Sequence, residues 1–180
     1  MAAAKRSAWR ENIESLLWAA ALALAIRTFI IAPFKIPSGS MRMTLLEGDR
    51  ILVNKFLYRF REPQRGDIID FRFPTEPKRP FIKRLVGVGG DQVEIRDGSV
   101  FVNGQPLTGH GAFETRTYVN QGQFGAFGQV VQVPPGELFV LGDNSSSSHD
   151  SRFWGFVPRR LLIGQAVCIF WPPKRIRALR

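Results

Sequence analysis

The run LLWAAALALAIRTFIIA, Leu16 to Ala32, limits what this chain can become more than any other stretch. Taken from Ile13, it approaches the roughly 20 apolar residues that a helix needs to cross a bilayer. Arg27 interrupts it near one end, where a long side chain can snorkel to the headgroups. Pro33, which lacks a backbone donor, is expected to end the helix. A cleaved leader is the competing reading, with Ala23-Leu24-Ala25 as the cut site. That triplet lies inside the apolar run rather than beyond it, which favours an anchor over residues 13–32. Charge does not orient it: Lys5, Arg6 and Arg10 flank one side, Lys35, Arg42 and Arg50 the other.

Beyond the anchor the pattern changes to short alternating runs separated by turn residues, which predicts a mainly β chain with an all-β domain over residues 33–180. RILVNKF, DIIDFRF, RPFIKRLVGV, GELFVLGDN and LIGQAVCIFW read as strands. QVEIRDGSVFVNGQPL reads as a hairpin around Asp97-Gly98, with a second turn at Asn103-Gly104. Residues 109–130, rich in glycine and polar side chains, read as an excursion or small lobe without identifiable chemistry. Hydrophobic residues at 44%, including 15 phenylalanines, exclude disorder as the default. The net charge of +10 makes anionic partners plausible, either nucleic acid or an anionic membrane surface. The basic tail PPKRIRALR reads as a solvated end, or as a contact for anionic lipid. The single cysteine, Cys168, lies in a strand-like run and reads as a structural thiol, without a partner for a disulfide or a zinc site.

A serine nucleophile needs a base. The only histidines, His110 and His149, sit in glycine- and serine-rich loops and read as solvated. The pattern around Ser40, Pro-Ser-Gly-Ser-Met, is not a G-x-S-x-G elbow, so a Ser-His-Asp triad is disfavoured. A lysine can serve if burial lowers its pKa toward 7 or 8. In PFIKRLVGV, alternation places Phe81, Lys83 and Leu85 on one strand face and Ile82, Arg84 and Val86 on the other. Lys83 is thus a candidate for an apolar site, although alternation alone favours a solvent-facing strand lysine. In LGDNSSSSHDSRFWGFVP, Asp143, Asp150 and Arg152 can form ion pairs that fix a loop, and Ser148 can orient a buried amine.

IPSGSMRMTL, GDRILVNKF, FIKRLVGVGGD and GDNSSSSHDSRFWGFVP, in this order behind an apolar segment, resemble the sequence boxes of the bacterial type I signal peptidases, or leader peptidases. With DGSVFVNGQPL, the likeness covers most of Ile36 to Pro158. It implies a membrane-bound serine endopeptidase with a Ser/Lys dyad that removes signal peptides from secreted preproteins, without a cofactor or metal. Ser40 would be the nucleophile and Lys83 the general base. Ser38 would donate to the oxyanion, Ser148 would orient Lys83, and Asp143, Asp150 and Arg152 would support the site. Phe34, Ile36, Leu45 and Ile82 would line shallow subsites for small residues. Residues 1–12 would then be cytoplasmic and the β domain extracytoplasmic on the bacterial inner membrane.

With preproteins and membrane lipid as partners, no nucleic acid is expected. The aromatics Phe153, Trp154, Phe156, Phe170 and Trp171 would rest on the membrane or pack in the core. Met43 and Gly89 stand where the boxes usually carry proline, and Ser145 to Ser147 replace a more polar stretch. Two rivals remain at this point: a soluble self-cleaving Ser/Lys peptidase, disfavoured by the apolar segment, and a membrane-anchored basic β-module that binds an anionic polymer without catalysis.

Overall fold

The computed structural model describes residues 8–109 and 111–179; Lys5, Arg6 and His110 lie outside the described residues. The first helix, α1, spans Ala8–Phe29, a length of about 33 Å at 1.5 Å per residue. Glu11–Phe29 has a mean hydropathy of 1.2 and none of it is buried against the protein, so its length and composition suit a membrane crossing. The helix stops before Pro33, contrary to the expectation that Pro33 would end it. Ile31–Lys35 already forms β1, paired antiparallel with β2, Arg50–Asn54. Pro33 is tolerated there because β1 is an edge strand, where a missing N–H costs no ladder bond.

The strands continue as β3 (Ile68–Phe73), β4 (Glu76–Val88), β5 (Gln92–Arg96), β6 (Ser99–Val102) and β7 (Gln105–Pro106). After the short helix α2 (Gly111–Glu114) come β8 (Val130–Gln132) and β9 (Glu137–Leu141). Helix α3 (Ser151–Trp154) leads into β10 (Val157–Pro158), β11 (Leu162–Trp171) and β12 (Arg177–Ala178). The larger sheet runs β1-β2-β11-β3-β4-β9-β10, with β12 also on β11, and the smaller runs β7-β6-β5-β8. Every pairing is antiparallel. Asp97-Gly98 and Asn103-Gly104 all have positive φ, the backbone that a tight twisted hairpin turn requires.

Three apolar clusters hold the sheets. Val86, Val93, Val100, Tyr118 and Phe139 join the small sheet to the large one. Ile36, Met41, Leu45, Val53 and Ile169 fill the space under β1, β2 and β11. Ile69, Phe71, Leu85 and Val140 form the third. Each such side chain contributes about 1.5–3 kcal/mol on burial. Trp154 and Phe156 pack against these clusters, whereas Phe153 and Trp171 stay 38% and 51% exposed.

The tail is not a free basic end. β12 pairs with β11, Leu179 is buried, Arg175 is ion-paired with Asp49 at 2.8 Å, and Arg177 donates to the Thr44 carbonyl. Arg175 and Arg177 hold the loop after β1 in place. The segment 111–130 is also docked. Arg116 reaches Thr44, Val119 N–H donates to Ser145, and Phe124 N–H donates to the Arg152 carbonyl.

Candidate active site

Ser40 lies in a single 3₁₀ turn, Gly39–Met41, between β1 and β2. Three kinds of contact hold the turn. Met41 and Leu45 are fully buried and plug the loop into the core. Asn144 donates through its backbone to the Ser40 carbonyl and through its side chain to the Gly39 carbonyl, both at 3.0 Å. Thr44 donates its hydroxyl to Asp143.

Lys83 approaches from the middle of β4, opposite Ile69 of β3, and is only 4% exposed. Its Nζ stands 2.6 Å from Ser40 Oγ. Burial pushes the amine down from its ordinary 10.5 to about 8; Asp150 and Asp143 oppose the shift and Arg152 adds to it. The solvent-facing alternative for Lys83 is thereby excluded. His149, exposed at the rim, packs between Phe73 and Phe153, and no hydrogen bond joins it to Ser40.

The support is two buried ion pairs. Arg152 and Asp150, both fully buried, meet at 2.8 Å, and Asp150 also accepts from the Gly142 N–H. Arg152 donates further to Val119 O, Ser145 Oγ and Ser145 O, tying the docked 111–130 segment to the loop that carries Asn144 and Ser148. Asp143 pairs with Arg84 at 2.7 and 2.8 Å rather than with Arg152, and Arg116 adds a second cation at 3.2 Å. Ser145, the first of the serine run, is therefore structural, while Ser146 and Ser147 are exposed.

Sequence spacing does not point to Arg84, Arg116, Thr44 or Asn144. Thr44, Arg84 and Asn144 lie inside the quoted boxes, but their partners are too distant in sequence for spacing to reveal. Gly142 belongs with them. A Cβ there would sit 2.1 Å from Ser148 Oγ and 2.6 Å from the Ser40 carbonyl, so only glycine lets the two loops close.

Ser148 is buried in this contact, but its Oγ has no hydrogen-bond partner among the described residues. The structure thus places it beside the site without drawing the expected bond to Lys83. Ser38 lies at the start of the Ser40 turn, exposed, with a hydroxyl that does not cap the turn. A cleft of about 370 Å³ contains Ser38, Ser40, Lys83, Phe81, Asn144 and His149, with Arg42, Glu47 and Arg79 at its edge.

The four expected subsite residues do not line this cleft. Ile36 and Leu45 are core residues at 2% and 0% exposure, and Phe34 and Ile82 pack on the same cluster. For Ile82 the cause is alternation: it faces away from Lys83, and the apolar neighbour on the lysine face is Phe81. Met43 has φ +82, which a proline ring locked near −65° cannot adopt. At Gly89 a Cβ would press within about 3 Å of the 134–136 backbone. Both departures from the box pattern thus match the local backbone.

A family model described as signal peptidase, peptidase S26, matches residues 9–171. The chain belongs to this family. A probable signal peptidase I-2 of Synechocystis is 40% identical over 95% of this chain and 77% of its own length. A signal peptidase I of Leptolyngbya laminosa is 41% identical over 94% and 83%. A chloroplastic thylakoidal processing peptidase 1 of Arabidopsis thaliana is 35% identical over 92% of this chain and 49% of its own. The peptidase is a serine endopeptidase of a membrane-associated family, with an apolar helix at its N-terminal end. Nothing supports the rival reading of a non-catalytic polymer-binding module.

Proposed function

We propose that this signal peptidase cuts preproteins with Ser40 as nucleophile and Lys83 as general base. The observation that carries the reading is the 2.6 Å contact between Lys83 Nζ and Ser40 Oγ inside a buried site. A neutral Lys83 takes the proton of Ser40 as Oγ bonds to the scissile carbonyl carbon. The ammonium returns that proton to the leaving amine when the C–N bond breaks. A water molecule, deprotonated by the same amine, then hydrolyses the acyl-serine. Ser38 Oγ–H and the Ser40 N–H are the proposed donors to the oxyanion, worth about a hundred- to a thousandfold in rate for one such donor.

The substrate enters as an extended strand. β3 pairs with β4 from Glu76 to Arg84, but β9 pairs only from Arg84 onward, so one edge of residues 76–83 has no strand partner among the described residues. That edge leads to Lys83 and suits β-augmentation by a peptide. We further place the β domain on the extracytoplasmic face of a bacterial inner membrane, with residues 1–12 in the cytoplasm and membrane lipid beneath the domain. Protease added to intact spheroplasts should digest the domain; full protection would refute this sidedness.

The dyad is tested with a preprotein substrate and membranes carrying Ser40→Ala or Lys83→Ala. Each variant should lose cleavage, and wild-type cleavage by either would refute the assignment.

A further inference from the structure

Where α1 ends, the body of the protein closes over its last turn. The Lys55 backbone N–H donates to the Ile30 carbonyl at 2.9 Å, and Lys55 Nζ to the Thr28 carbonyl at 3.4 Å. These bonds hold residues 55–60 at the level of the helix end. The turn there, Leu57–Arg59, leaves Phe56 and Phe60 39% and 75% exposed, with their rings edge-on at 4.7 Å. Arg59 lies over the Phe56 ring at 5.6 Å.

Beside this turn is a cavity of about 340 Å³ whose wall includes Thr28, Phe29, Lys55, Arg59, Arg159 and Leu162. Three of its side chains are cationic and none is acidic. Arg159 is already ion-paired with Glu62, and Tyr58 donates to Asp67. Among the described residues neither Lys55 nor Arg59 has a carboxylate at ion-pair distance, although Lys55 feels the field of buried Asp70. Exposed aromatics next to cations that have no carboxylate at ion-pair distance, at the end of an apolar helix, match the chemistry of the lipid interface.

We propose that this cavity holds the phosphate of an anionic phospholipid in the leaflet where α1 emerges, with Lys55 and Arg59 as its donors. Phe56 and Phe60 then lie among the upper acyl carbons and fix the depth of the catalytic domain. The proposal rests on α1 spanning the membrane.

The test uses the full chain in dodecyl maltoside, titrated with short-chain phosphatidylglycerol and read by native mass spectrometry. Lys55→Gln/Arg59→Gln should weaken binding by about thirtyfold, on the order of fivefold per cation near a membrane surface. Arg72→Gln/Lys78→Gln, with the same change in net charge, should shift it less than twofold. Peptide cleavage in detergent at the wild-type rate shows that the double variant is folded. Unchanged affinity in Lys55→Gln/Arg59→Gln overturns the site. Equal retention of phosphatidylcholine overturns the preference for an anionic lipid, and equal competition by glycerol phosphate overturns a lipid source. Alkaline carbonate extraction separates the two readings. Release of the wild type sinks the anchor, whereas retention together with unchanged lipid affinity in the double variant sinks only the phosphate site.

Discussion

Replacing Lys83 by methionine should destroy activity and stabilise the fold at neutral pH. The buried amine falls from 10.5 to about 8, which corresponds to about 3 kcal/mol against charging it in place. Methionine keeps much of the side-chain length and removes that cost, but forfeits the Ser40 contact, worth about 1 kcal/mol. The net gain is about 2 kcal/mol, or about 4–8 °C in Tm for a chain of this size.

The sign depends on pH. Below about 8 both folded and unfolded lysine carry the proton, and the whole desolvation cost is present. Between about 8 and 10.5 the unfolded state binds more protons, so wild-type stability rises with pH. The advantage of Lys83→Met should therefore shrink across that window and reverse to a deficit of about 1 kcal/mol above it. Activity reads the same group: kcat/KM should fall about tenfold per pH unit below an apparent pKa near 8. An ordinary lysine would leave about 150-fold less neutral base at pH 8. Calorimetry of both proteins from pH 6.5 to 10, beside a pH–rate profile, tests the argument. A less stable Lys83→Met at pH 7, or an acid limb near 10.5, would refute it.

Asp143→Asn strips Arg84 and Arg116 of their shared carboxylate and should cost about 3–5 kcal/mol in denaturant unfolding. Gly142→Ala forces apart Ser148 and the Ser40 carbonyl; kcat should drop about a hundredfold, the scale of a 1 Å misplacement, with KM little changed. Met43→Pro should lower stability by more than about 1 kcal/mol, while Met43→Gly keeps wild-type Tm or exceeds it, because only glycine is at ease at φ +82.

Much of the outline was legible in the chain because its causes are local. The apolar run of α1 and the paired positive-φ turns at Asp97-Gly98 and Asn103-Gly104 depend on neighbours a few residues apart. Alternation alone separated Lys83 from Arg84. The ordered boxes carried the family, and through it the candidate pair Ser40 and Lys83.

What only the tertiary structure decided was distance. Ser40 and Lys83 are 43 residues apart and meet because β4 lies centrally in the larger sheet while Asn144 and Gly142 draw the Ser40 turn onto it. The same closure gave Asp143 to Arg84 rather than Arg152, took Ile36 and Leu45 into the core, and turned the basic tail into a brace for the Thr44 loop. Burial also lowers the Lys83 amine to about 8, the property that its proposed role as a base requires. A lysine becomes a base only when surrounding side chains remove its water, and those side chains arrive from β3, the Ser40 turn and the Asp150 loop together.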